Sequence, residues 1–167
     1  MFYFSRIENN NIPFFYFFVI LQFLFFLRIY FVEVSISSAQ NFFRLLAVTF
    51  PAFAVVTTLV NGISSYNPYV KATENLLLIG LSVYYFYYLN KTLPILYLER
   101  FYMFWINTGI LIYFSGTLLL FALGEYLTEL AQPLSLQLWN IHLLLNILLN
   151  LFFSVAFWVN RRTYSTT

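Results

Sequence analysis

Six polar residues lie inside long apolar runs, where chemistry would be concentrated: Glu74, Asn107, Ser115, His142, Asn146 and Asn150. Three of them continue into Ser154 as a row, His142, Asn146, Asn150, Ser154, each four residues after the last. Residues four apart share a helix face. In lipid, a polar row on a Leu/Phe/Val helix is expected to turn toward other helices or a water-filled path, away from acyl chains. The six residues are therefore expected to form a polar core that glues helices together or holds a small ligand. As glue, each interhelical hydrogen bond contributes about 0.6–2 kcal/mol.

Two of the six have named partners in this reading. Glu74 follows Lys71 by three residues, so it either pairs with that lysine near the interface or serves as a functional acid. It would also reach His142 if their helices touch. Asn107 is expected at the level of Asn150 or Ser154. Thr108 with Ser115, and Gly109 with Gly116, recur at seven residues. That spacing holds one face toward a neighbouring helix, here expected to be the helix of the polar row.

The residues for common membrane chemistries are missing. One His cannot supply a bis-histidine haem, and there is no Asp for an aspartyl protease. No H-E-x-x-H or phosphate-loop motif occurs. Ser115 with His142 fits a Ser–His pair loosely, but Tyr113-Phe114-Ser115-Gly116-Thr117 is not G-x-S-x-G. Lys71 and Lys91 sit near helix ends, away from the mid-membrane depth of a Schiff-base lysine. With no Cys, thiolate sites and disulfides are excluded. The expectation is a protein that is not an enzyme, with no cofactor and no metal.

The elements that position these residues follow from composition. The chain has 167 residues, 62% hydrophobic and 8% charged, against about 25% charged in soluble domains. Its apolar runs are of spanning length. The reading is an all-α polytopic transmembrane helix bundle, one domain over 1–167. Its spans are about 12–32, 42–63, 69–89, 101–123 and 134–159. The first run is longer than a signal-peptide core, and Arg28 and Glu33 precede the small residues near Ser35–Ala39, so it is read as a span. Pro51 lies within the second span and Tyr84–Tyr88 end the third. Polar connections are expected at 28–44, 90–100 and 124–133, with Ile95–Leu98 along the interface. Trp105, Trp139 and Trp158 stand near span ends, as interfacial anchors do.

Charge sets orientation. Arg28, Arg44, Lys91, Arg100, Arg161 and Arg162 fall on one side, and Arg6 and Lys71 on the other. Basic flanks stay cytoplasmic, so the C-terminus is expected inside and the N-terminus outside. A net charge of +2 gives no reason to expect nucleic acid.

The strings Phe104-Trp105-Ile106-Asn107-Thr108-Gly109, Ile112-Tyr113-Phe114-Ser115-Gly116 and Leu138-Trp139-Asn140-Ile141-His142 through Asn146 carry a resemblance. So do Tyr66-Asn67-Pro68-Tyr69 and Glu74-Asn75-Leu76-Leu77-Leu78. Across about 14–158 the sequence resembles small multi-pass membrane proteins of Bacteroidota-type bacteria, a group with no assigned reaction. The resemblance implies seven spans and genes beside sensor kinases; here five spans are seen. It also implies that Glu74, Asn107, Ser115, His142 and Asn146 are polar positions of the group.

The function expected is a non-enzymatic sensory or accessory component of the bacterial inner membrane, acting through a partner protein or a small ligand. Two alternatives stand beside it. One is a structural subunit of a larger energy-converting complex, bacterial or organellar. The other is a small oligomeric transporter or channel. Expected partners are lipid and other membrane subunits or further copies of the chain.

Overall fold

The computed structural model describes residues 12–62, 68–92, 98–130 and 132–164. It is all-α, with five long helices: α1 (Ile12–Glu33), α2 (Ser37–Asn61), α3 (Pro68–Thr92), α4 (Tyr102–Leu130) and α5 (Gln132–Tyr164). A single 3-10 turn, Leu98–Arg100, precedes α4. Four helices, all but α3, contain stretches long and apolar enough to cross a membrane. The 25 residues of α3 are also long enough. Lys71, Glu74, Asn75 and five tyrosines lower its apolar content.

The chain forms two compact units, Met1–Asn75 and Leu76–Thr167. In the first, α1 and α2 make a hairpin. Tyr16, Val19, Phe23, Phe26, Leu27 and Tyr30 recur every three or four residues and are buried, the period of one helix face. Phe23 meets Phe50 of α2 at 4.3 Å between ring centres. The hairpin turn is short. Gln40 Nε2 donates to the Val34 carbonyl at 3.2 Å, and the Gln40 amide donates to Ile36 at 3.0 Å. The opposite face of α1 shows Phe14, Phe17, Phe18, Leu21 and Phe25 to the surroundings. Such a continuous exposed apolar stripe is what a lipid-facing helix presents, since acyl chains solvate it.

In the second unit, α4 and α5 pack along their length. Gly109 and Gly116 make this possible. A Cβ on Gly109 would stand 2.9 Å from Phe152 Cβ, and one on Gly116 would stand 2.7 Å from Leu145 Cδ1. The seven-residue glycine pair therefore forms the seam with the last helix, as its spacing predicts. Its companion Thr108 instead bonds back to the Phe104 carbonyl at 2.7 Å.

Two expected connections are shorter than the polar sequence implied. Between α1 and α2 only residues 34–36 are non-helical, and α4 continues to Leu130 through the expected loop at 124–133. Charge marks where a helix leaves lipid, and Glu and Arg remain good helix formers there. Pro133 is tolerated because it stands in the first turn of α5. Pro51 lies inside α2 without ending it. The stretch 93–97, with most of the expected interfacial segment, lies outside the described residues.

Candidate functional site

The buried polar groups gather on α3. Lys71, Glu74, Asn75 and Ser82 are all buried, the last three completely, at 0% exposure. With Val70, Leu78, Leu81, Tyr85 and Leu89 they make one face. Their three- and four-residue steps hold that face in line along the helix.

Within the first unit, Lys71 Nζ bonds Glu74 Oε2 at 2.5 Å and Gln22 Oε1 of α1 at 3.1 Å. Of the two expectations for Glu74, a pair with Lys71 near the interface or a functional acid, the Lys71 pair is present, and it is buried. Glu74 Oε1 and both polar atoms of Asn75 have no hydrogen-bond partner among the described residues. An unpaired buried polar atom costs about 1–3 kcal/mol. Glu74 Oε1 offers an acceptor, and the Asn75 amide, one residue further along the helix, a donor group and a second acceptor. Among the described residues no three His, Cys, Asp or Glu side chains come together as metal ligands do.

In the second unit, Asn107 is completely buried and donates from Nδ2 to the Ser82 carbonyl at 3.0 Å. The expected partner was Asn150 or Ser154 on α5. Asn107 precedes Gly109 by two residues, a turn of about 200° around the helix. It therefore points away from the seam with α5. Thr117 is also fully buried, and its hydroxyl has no partner among the described residues. Ser115 is half-buried and makes no bond with His142. His142 packs its ring on Tyr113, 5.8 Å between centres.

The row on α5 divides. His142 is half-buried, but Asn146, Asn150 and Ser154 are exposed. This corrects the expectation that all four form one seam inside the chain's own bundle. The reason is helical geometry. Four residues advance about 400°, so each step of the row winds some 40° further around the helix. The face that meets α4 runs through Leu145, Leu149, Phe152 and Ala156, whose alternating steps of four and three hold direction. His142 starts on that face and the asparagines leave it.

The exposed row partly satisfies itself. Asn150 Nδ2 donates to the Asn146 carbonyl at 2.8 Å and to Asn146 Oδ1 at 3.1 Å. Ser154 Oγ donates to the Asn150 carbonyl at 2.8 Å. Asn146 Nδ2 and Asn150 Oδ1 remain without partners among the described residues. Ile147, Leu143 and Leu151 are exposed around them.

The anchors behave separately. Trp105 Nε1 donates to the Glu99 carbonyl at 2.8 Å and Trp158 is exposed, while the Trp139 side chain lies outside the described residues. Of the tyrosine cluster, Tyr85 is buried and Tyr87 exposed, with Lys91 5.9 Å over its ring.

Sequence reasoning had not singled out Gln22, Asn75, Ser82 or Thr117. The register 71, 75, 78, 82, 85, 89 was the available signal, since it carries polar residues and large apolar ones on a single face.

Fold and polar groups together define a membrane-embedded, all-α helix bundle with a buried polar face on one helix and an exposed one on another. No family model matches this chain, and neither a curated protein nor a solved structure matches it.

Proposed function

We propose that the protein is a non-enzymatic, multi-pass component of the bacterial inner membrane that acts by binding another membrane helix along α5. The observation that carries this reading is the exposed Asn146–Asn150–Ser154 row, set among Ile147, Leu143 and Leu151. Water would satisfy such a row at no cost, and a second helix would satisfy it in lipid. Acyl chains offer Asn146 Nδ2 nothing to donate to. α5 is also the least buried of the four apolar helices. A sensory or accessory subunit needs such a free face, because a signal must leave through a neighbour.

In this reading α3 is the fifth crossing helix. Its polar side chains are buried, which is how a membrane helix tolerates them. The N-terminus is then outside and the C-terminus inside. Burial of Lys71 in an ion pair removes it from the flank charges and leaves Arg6 as the only basic residue on the outer side.

The test is photo-crosslinking in native membranes, with the reactive residue at position 146 or 150 and, as control, at exposed Phe25 on α1. The proposal expects a discrete protein adduct from 146 and 150 and lipid adducts alone from 25. Lipid adducts alone from all three would remove it. Adduct mass separates another copy of the chain from a different subunit.

A second reading has its own observation. Glu74 Oε1 and the Asn75 amide are buried without partners among the described residues, which favours a small hydrogen-bonding ligand at that end of α3. Loss of a ligand response in Asn75→Leu, with unchanged thermal stability, would support it.

A further inference from the structure

We infer that the α1–α2 hairpin carries a binding site for one anionic phospholipid. A groove of about 300 Å³ opens between the two helices, with Leu27, Phe43 and Ala47 in its wall. Two cations stand at the groove, Arg28 from α1 and Arg44 from α2. Both address the same ring: Arg28 Cζ is 5.5 Å and Arg44 Cζ 5.7 Å from the centre of Phe31. A guanidinium over an aromatic face is held there by the ring quadrupole. Phe31 therefore holds both positive groups close to one ring. Neither has a carboxylate partner among the described residues, and the one side-chain bond is Arg44 Nη1 to Asn41 Oδ1 at 3.3 Å.

The chain sequence explains the placement. Arg28 lies about a turn and a half before the end of α1, and Arg44 about two turns into α2. The hairpin turn brings both to the same end of the helix pair. Arginine's planar fork matches a phosphate with paired hydrogen bonds. An apolar trough lined by two guanidiniums, neither paired with a carboxylate among the described residues, is complementary to an acyl chain joined to a phosphate. A zwitterionic headgroup would bring its own cation against Arg28 and Arg44. The groove therefore selects a net-negative lipid such as phosphatidylglycerol, and basic pockets between membrane helices on the cytoplasmic side commonly hold such headgroups. Assignment to the inner leaflet rests on the orientation proposed above, but the site itself does not. It also lies on different helices from the α5 face, so either proposal can fail alone.

The experiment uses the full-length protein in mild detergent, titrated with dioleoyl-phosphatidylglycerol or dioleoyl-phosphatidylcholine and read by native mass spectrometry. One phosphatidylglycerol should be retained in clear preference to phosphatidylcholine. Arg28→Gln and Arg44→Gln should each weaken that retention about fivefold, the worth of one basic residue at an anionic surface. Arg161→Gln with Arg162→Gln, which removes two charges elsewhere, should leave it unchanged. Ala47→Leu keeps both charges but fills the groove, and should also weaken retention while the far-ultraviolet circular dichroism stays that of the parent. Glycerol 3-phosphate, which has no chain, should not displace the bound lipid at millimolar concentration. Equal retention of the two lipids would overturn the site. So would an equal loss from the Arg161/Arg162 variant, or displacement by glycerol 3-phosphate.

Discussion

The first turns of α3 and the middle of α5 carry similar polar side chains and meet opposite fates. On α3, Lys71, Glu74 and Asn75 are buried with Leu78 and Ser82. On α5, Asn146, Asn150 and Ser154 are exposed beside Ile147 and Leu151. The difference lies in spacing rather than in residue type. Steps that alternate three and four hold a face in line, while repeated steps of four wind off it. The buried set makes a structural commitment inside the chain. The exposed set is free to be satisfied by another molecule.

The sharpest way to break that contrast is to remove a charge from the buried end. Lys71→Met leaves Glu74 buried without its cation, and should destabilise the protein by about 3–5 kcal/mol in detergent melts. Adding Glu74→Leu to it should recover most of the loss. A single variant no worse than an α5 substitution would show that Glu74 is not confined as described.

The α4–α5 seam gives the next effect. Gly109→Ala pushes on Phe152 Cβ, which is fixed to its backbone, and should cost about 1–3 kcal/mol. Gly116→Ala meets only the movable end of Leu145 and should cost less. Equal melting temperatures for the two would mean that the seam is looser than its glycines indicate. Asn107→Leu should then lose about 1 kcal/mol, the value of one interhelical hydrogen bond. A stability gain there would assign Asn107 to a ligand or to water in place of the Ser82 carbonyl.

The smallest effect on the isolated chain belongs to the exposed row. Asn146→Leu with Asn150→Leu should change its stability by no more than about 0.5 kcal/mol. The same pair should sharply reduce recovery of the crosslinked neighbour from native membranes. Had the asparagines been glue between the chain's own helices, a loss of about 1 kcal/mol would be due. Melting and recovery measured together separate the two cases.

Composition and the length of the apolar runs were enough to determine an all-α membrane bundle, because no other backbone satisfies itself in lipid within a single segment. The Gly109–Gly116 seam was also legible, since a seven-residue step drifts by only about 20° on a helix. The partners of the polar groups were decided by tertiary structure. Asn107 chose Ser82 over α5, Lys71 sank with Glu74 beside Gln22, and the asparagines of α5 turned outward. A periodic sequence names the faces of a helix, but which face a neighbour covers depends on which side chains fit its surface. Here Leu145, Leu149 and Phe152 fit against two glycines, and that fit set the rotation of the whole helix.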